Sequence, residues 1–258
     1  MAVSSEHIEP DNRPVGFFDS GLGGLCILEA FKKACPEENT VYIADSANCP
    51  YGNRPSDEIK RISFANTREL LSSYGCKMIV VACNTATAAA IDALRESFPE
   101  TPFIGIEPAI KPAALNSKSG VVGVLATAGT FNGRLYRETT ARFARDVTVI
   151  AAVADEFVEL VERGETSGSQ SESVVRAKVE PLLSAGADYI VLGCTHFPHL
   201  KHLIEKVADG RAEVLDPSDA VVRQAKRVLT EMGIEGAACA PYHKFVRTKG
   251  GGNDKTCC

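Results

Sequence analysis

At 258 residues, with 45% hydrophobic and 24% charged side chains, the chain is long enough for one large or two small domains with their own cores. A net charge of −5 argues against nucleic-acid binding driven by a basic excess, and no apolar run approaches the roughly 20 residues that span a bilayer. The opening stretch MAVSSEHIEPDNRP has no basic region followed by an apolar one, which predicts a short lead-in rather than a signal peptide and a chain that stays in the cytoplasm.

The first predicted strand, VGFFDS (15–20), runs into the turn Gly21-Leu22-Gly23-Gly24, and a second follows at VYIAD (41–45). A helix is predicted from Ser56, with Asp57 and Glu58 in its first turn, to a stop at Gly75. Its expected buried face is Ile59, Ile62, Leu70, Leu71 and Tyr74. Strands follow at MIVVACNT (78–85), FIGIEP (103–108), VVGVLAT (121–127) and VTVIAAV (147–153). A helix from about Ser173 to Gly186, the strand YIVLGCTH (189–196), and helices from about Pro198 to Gly210 and from Ser218 to Gly233 complete the series. Most strands are near-continuous apolar runs, as expected for parallel sheets covered on both faces. The alternation predicts an α/β protein with mostly parallel sheets.

The two halves of the sequence match. Gly75 lies eight residues before Cys83 and Gly186 eight before Cys194, with KMIVVACNT and DYIVLGCTH between them at an offset of 111. At an offset of 107, VGFFDS matches VGVLAT, so Ser20 stands opposite Thr127 and Asp19 opposite Ala126. An internal duplication follows, giving two similar α/β units. Each puts a cysteine at the C-terminal end of a strand just before a helix, where ligands bind in open parallel sheets and where a helix N-terminus favours thiolate. Facing each other, the units place Cys83 and Cys194 on opposite walls of one cleft.

Two opposed thiols suit one kind of chemistry. Inverting a carbon centre by proton transfer needs a base on one face and an acid on the other, each serving in both roles when the reaction runs both ways. Polar groups must hold the carbanion between them. Asn84 and Thr85 follow the first cysteine, Thr195 and His196 the second, and Asp19 and Ser20 lead into the glycine turn, whose N–H groups suit an anion. Pro50, Tyr51 and Gly52 lie in the loop after the second strand.

Nine cysteines, an odd number without a disulfide framework, predict free thiols in a reducing compartment. Packing is the expected role of Cys26, Cys35, Cys49, Cys76 and Cys239, and Cys257-Cys258 reads as a frayed tail. Cys194, His196, His199 and His202 suggest a metal cluster, but three-residue steps on a helix do not turn three imidazoles to one ion, so no metal is expected. Glycines 21–24 lack the Lys-Ser/Thr of a phosphate loop.

The stretches FDSGLGGL (18–25), DSANCPYG (45–52), ACNTAT (82–87), IEPAIKPA (106–113), GVLATAGTF (123–131), FVELVERGE (157–165) and GCTHFPHL (193–200), in order and spacing, resemble the glutamate racemases of the PLP-independent aspartate/glutamate racemase superfamily. The resemblance covers roughly residues 14 to 220. It implies two α/β domains related by pseudo-two-fold symmetry, with the active site in the interdomain cleft: 1–112 and 223–258 as the first, carrying Cys83, and 113–222 as the second, carrying Cys194. It implies that Cys83 deprotonates D-glutamate and Cys194 L-glutamate, assisted by Asp19, His196 and Glu162. Implied substrate contacts are Asp19, Ser20, Pro50, Tyr51, Gly52, Asn84, Thr85, Thr195 and His196. No cofactor is implied; the partner is the small-molecule substrate, D- or L-glutamate, rather than nucleic acid or membrane, with a homodimer left open. The implied role is supply of D-glutamate for peptidoglycan.

The sequence departs from the family pattern in places. Ser46 and Thr87 exchange one hydroxyl residue for another, Phe197 stands where Tyr is common, Ala109 replaces Gly, and Ala154-Asp155 replaces Cys-Pro. After His243 the chain ends KFVRTKGGGNDKTCC where the family continues with an acidic turn and a helix. Aspartate or another acidic amino acid as substrate, a catalytically weak binding protein on the same scaffold, and a metal hydrolase are the competing expectations.

Overall fold

In a computed structural model of the chain, residues 9–248 and 256–257 are described. The first half holds β1 (Val15–Asp19), α1 (Leu25–Ala34), β2 (Thr40–Ala44), α2 (Ser56–Tyr74), β3 (Met78–Val81), α3 (Asn84–Ser97), β4 (Phe103–Gly105) and α4 (Ile110–Asn116). Then come β5 (Val121–Ala126), α5 (Ala128–Phe131), α6 (Arg134–Phe143), β6 (Thr148–Val153), α7 (Asp155–Glu162), α8 (Ser169–Ser184) and β7 (Tyr189–Gly193). A 3-10 turn (Phe197–Leu200) leads into α9 (Lys201–Ala208), followed by β8 (Glu213–Leu215), α10 (Ser218–Met232), β9 (His243–Arg247) and β10 (Thr256–Cys257).

The helix stops follow backbone chemistry. Gly75 ends α2 at φ 62°, its N–H bonding back to the Leu70 and Leu71 carbonyls, a left-handed turn that a side chain would strain. The buried face of α2 is more polar than expected: Ile59 and Leu70 are buried with Ser63, Asn66 and Thr67, while Ile62, Leu71 and Tyr74 are only half-buried. α8 begins at Ser169, ahead of the expected Ser173. The helix expected from Pro198 opens as the 3-10 turn before it becomes α9.

The strands form two sheets, one ordered β10-β9-β2-β1-β3-β4 and the other β6-β5-β7-β8, all parallel except β10. The order β2-β1-β3-β4 of the first is repeated as β6-β5-β7-β8 in the second. The register repeats too. Val15 pairs with Met78 in the first sheet and Val122 with Tyr189 in the second, which are the offsets of 107 and 111 read from the sequence.

Helices cover both faces of the first sheet. Ile27, Leu28 and Phe31 of α1 and Val221, Val222, Ala225 and Leu229 of α10 pack on one face, with α2 and α3 on the other. In the second sheet, α7, α8 and α9 share one core, while Ile110 and Ala113 of α4 pack on the opposite face with Val122 and Val124. The expected limits at 112/113 and 222/223 thus fall inside α4 and α10. The C-terminal stretch KFVR is a strand, β9, parallel to β2, with β10 antiparallel to it. Cys257 is therefore strand backbone instead of a frayed end, whereas Cys258 lies outside the described residues. Among the described residues no helix is long and apolar enough to cross a membrane.

Candidate active site

The two cysteines sit at matching places. Cys83 continues the face of β3 that carries Ile79 and Val81, and Cys194 continues the face of β7 that carries Ile190 and Leu192. Extended backbone at Cys83 (φ −145°, ψ 120°) ends the strand and caps α3, whose Thr87 N–H donates to the Cys83 carbonyl at 2.9 Å. After Cys194 the chain turns at once into the 3-10 segment, Phe197 N–H donating to the Cys194 carbonyl at 3.1 Å. Both thiols are buried, at 4% and 8% exposure.

They line one narrow pocket. Ser20, Cys83, Asn84 and Thr85 come from strand ends of the first sheet and Pro50, Tyr51 and Gly52 from the loop after β2; Thr127, Cys194, Thr195 and His196 come from strand ends of the second sheet and Val158 from α7. All the expected substrate contacts except Asp19 are therefore brought together on the wall. Asp19 and Glu162 stand behind it, each touching a wall residue. Thr127 and Val158 were not singled out. The repeat had put Thr127 opposite Ser20, which was the available signal; Val158 lay within the stretch 157–165, with nothing to set it apart from its neighbours.

Three polar atoms facing this region have no partner among the described residues: Asn84 Oδ1 and Nδ2 and Thr195 Oγ1. Buried groups left so are expensive, about 1–3 kcal/mol each, unless something polar meets them. Together they offer a carbonyl acceptor, amide donors and a hydroxyl, a set that suits a ligand with both ammonium and carboxylate groups. Thr85 Oγ1 is fixed by Thr127 Oγ1 at 2.9 Å, which in turn meets Thr130 Oγ1 at 3.1 Å.

The surroundings of the two thiols differ. Burial, then the charge of Asp19, pushes Cys83 well above the usual thiol range. Asp19, fully buried at the end of β1, is itself raised by desolvation, partly opposed by His196 and by the Gly24 N–H, which donates to Oδ2 at 2.8 Å. Beside Cys194 stands His196, Nδ1 to Sγ 3.8 Å, with its Nε2 on Glu162 Oε1 at 2.8 Å. Burial opposes a charge on this imidazole, but the hydrogen bonds to Cys194 and Glu162, with the Cys194 and Asp19 charges, raise it to about 10. Burial raises Glu162 as well, yet the hydrogen bonds from His196 and the Leu22 N–H hold it below the usual carboxylate value.

Glu162, at the end of α7, is held across the cleft. The Leu22 N–H of the glycine turn donates to its Oε1 at 2.7 Å. A methyl group at Gly21 would lie 2.0 Å from that oxygen, and one at Gly23 would lie 2.4 Å from His196 Nδ1. The anions met by the N–H groups of this turn are thus the protein's own carboxylates, Asp19 and Glu162.

Of the histidines that follow His196, His199 meets the Gly23 carbonyl through Nε2 at 3.3 Å and His202 is exposed. Ligand atoms of Cys49, Glu162 and His196 come within 4.8 Å of one another and offer one soft, one borderline and one hard donor. A metal ion there would have to displace the proton shared by His196 and Glu162, and burial pushes the Cys49 thiol up to about 12. Cys26, Cys35, Cys49, Cys76, Cys83, Cys194 and Cys239 are all free thiols.

Comparison with known proteins bears on this geometry. A family model described as Asp/Glu/hydantoin racemase matches residues 25–225. The glutamate racemase of Herpetosiphon aurantiacus is 48% identical over 218 residues, covering 84% of this chain and 85% of that protein. The structure of Escherichia coli glutamate racemase in complex with L-glutamate and the activator UDP-MurNAc-ala is similar with a TM-score of 0.82 at 32% identity, covering 92% of this chain and 90% of that one. That of Francisella tularensis glutamate racemase with D-glutamate gives 0.81 at 30% identity, covering 93% and 89%.

Proposed function

The chain belongs to the Asp/Glu/hydantoin racemase family, and we propose that it interconverts L- and D-glutamate without a cofactor, using Cys83 and Cys194 as the paired base and acid. One observation carries the reading: two buried thiols border the same pocket from different sheets, with the unpaired Asn84 amide and Thr195 hydroxyl on residues of the same wall. Substrate identity rests on the relatives, glutamate racemases solved with L- and with D-glutamate.

In the L-to-D direction, the Cys194 thiolate takes the Cα proton and the S–H bond forms as the C–H bond breaks. The electron pair stays on the substrate as a carbanion, which takes a proton from the Cys83 thiol on the opposite face. Cys194 ends as thiol and Cys83 as thiolate, so the reverse reaction starts from that state. His196, held charged by Glu162, offsets negative charge at Cys194. Asp19 is placed to hold or relay a proton at Cys83. Asn84, Thr85 and Thr195, with Ser20 and the Pro50-Tyr51-Gly52 backbone, hold the ammonium and carboxylate so that only the Cα–H bond meets a sulfur. The same reading carries cytoplasmic location and supply of D-glutamate for peptidoglycan with it. It also carries the division into a first domain, 1–112 with the returning C-terminal segment 223–258, and a second, 113–222.

The test is incubation with L-glutamate, and separately L-aspartate, in D₂O without pyridoxal phosphate or metal. Loss of circular dichroism with Cα deuterium uptake is expected for glutamate. Cys83→Ser and Cys194→Ser should each lower turnover by about a hundred- to ten-thousand-fold. Unchanged turnover in both would remove the two-thiol mechanism, and exchange with aspartate alone would move the substrate.

A further inference from the structure

Behind the pocket wall lies a buried carboxyl group that the reaction does not touch. Asp45 follows β2 and is 2% exposed. Its Oδ2 accepts the Tyr51 hydroxyl at 2.6 Å and its Oδ1 the Thr248 hydroxyl at 2.8 Å, while Asn48 Nδ2 reaches both oxygens at 3.0 and 2.9 Å. Every acceptor direction of the carboxyl is thereby used by neutral donors. The Tyr51 hydroxyl also accepts from Asn66 Nδ2 of α2 at 3.2 Å, which accounts for Asn66 on the buried face of that helix.

The donor from Thr248 comes from the far end of the chain. Thr248 directly follows β9, and its N–H donates to the Ala44 carbonyl at 3.0 Å, extending the β2–β9 ladder. Its hydroxyl works in two directions, donating to Asp45 and accepting the Ala47 N–H at 3.0 Å. At the other end of the same loop, Pro50, Tyr51 and Gly52 form the pocket wall. There Gly52 is pressed against the second half: a methyl on it would lie 3.0 Å from Asp155 Oδ1 and from Thr127 Cβ.

We infer that Asp45 is a positioning residue that couples the C-terminal segment to substrate binding, with the Thr248 hydroxyl locking loop 45–52 so that its Pro50-Tyr51-Gly52 end stands at the right height against glutamate. The inference rests on the function proposed above. The loop has no regular structure of its own, and a buried carboxyl with three kinds of donor fixes direction as well as place. Thr248, just past β9, thus supports the pocket wall from behind. It reaches the substrate through Asp45 and Tyr51 without touching it.

The test compares Thr248→Val, which keeps the shape and loses both hydrogen bonds, with Thr248→Ser, which keeps them. Thr248→Val should raise the KM for both glutamate enantiomers about tenfold, the loss expected when a hydrogen bond to an acidic group is removed, and leave kcat within about twofold. Thr248→Ser should return KM to the native value. Asp45→Asn should raise KM at least as far, and the double variant should cost clearly less than the sum of the two, because the hydroxyl acts in part through Asp45. Amide hydrogen exchange over residues 47–52, led by Ala47, should quicken in Thr248→Val and not in Thr248→Ser. A native KM in Thr248→Val overturns the inference; so does a fall in kcat and melting temperature with KM unchanged, or additive effects in the double variant. If the native protein racemises neither amino acid, the proposed function fails instead, and the exchange experiment still decides: unchanged exchange at Ala47 to Gly52 means that Thr248 does not hold the loop.

Discussion

A positive charge buried beside a thiol needs a counter-charge, and Glu162 supplies it from the other side of the His196 ring. The histidine is raised from 6.5 to about 10, so its contribution to folding stability is full below about pH 6.5, shrinks as pH rises, and is gone above about 10. The stability difference between the native protein and His196→Asn should therefore narrow steadily from pH 7 to pH 10. Urea unfolding at several pH values measures it; a difference constant with pH would mean that the imidazole is neutral in the folded state. Glu162 was within reach of the sequence only through resemblance, because its partner Leu22 lies 140 residues away and no local pattern marks the pair. Cys83, Asn84, Cys194 and Thr195 were legible because each directly ends a strand, where neighbours in sequence are neighbours in the site. Asp45 also ends a predicted strand, but its partner Thr248 was hidden: a contact over more than 200 residues leaves no trace in spacing.

The glycine turn shows why a short motif needs its surroundings. Its glycines make room for a dyad arriving from the other half of the chain. Gly23→Ala should push the His196 ring aside and lower kcat/KM by about a hundredfold, with far-UV circular dichroism unchanged. Gly75→Ala is its counterpart: a methyl there meets nothing within 4 Å, but φ is +62°. It should lower stability by about 1–2 kcal/mol and spare turnover. Chemical denaturation and steady-state kinetics on both proteins separate the two effects. Helices with strong punctuation, α2 and α10, were readable from Asp57, Glu58, Gly75 and Gly233. α1 has an N-cap glycine with no side-chain cap and no acidic first turn, so nothing marks its beginning in the sequence. β8 and β9 were missed for another reason: Glu213, His243, Lys244 and Arg247 make edge-like, polar runs, and only pairing to β7 and β2 makes them strands.

The end of the first sheet away from the pocket is fixed by a buried ion pair. Lys77 Nζ lies 2.7 Å from Glu38 Oε2, with side-chain exposures of 0% and 5%; the contact is ionic, since Oε2 has no aligned hydrogen bond. Lys77 also donates to the Asp11 carbonyl, and Glu38 Oε1 accepts the Gly236 N–H at 2.7 Å. The pair thus gathers the entry to β1, the entry to β2 and the loop after α10. Lys77→Met leaves Glu38 buried without its partner and should lower stability by about 3–5 kcal/mol, with kcat and KM unchanged at low temperature; a parallel loss of turnover would show that this end reaches the site. At the opposite ends of the strands, the repeated interval from Gly75 to Cys83 and from Gly186 to Cys194 acts as a ruler. Side chains alternate along an extended run, so one residue added or removed would turn the sulfur to the other face of its sheet, and two would return it displaced by about 7 Å. The interval can change in composition but not in length. Two halves with few side chains in common each set a sulfur at the end of the corresponding strand, because what they share is a count.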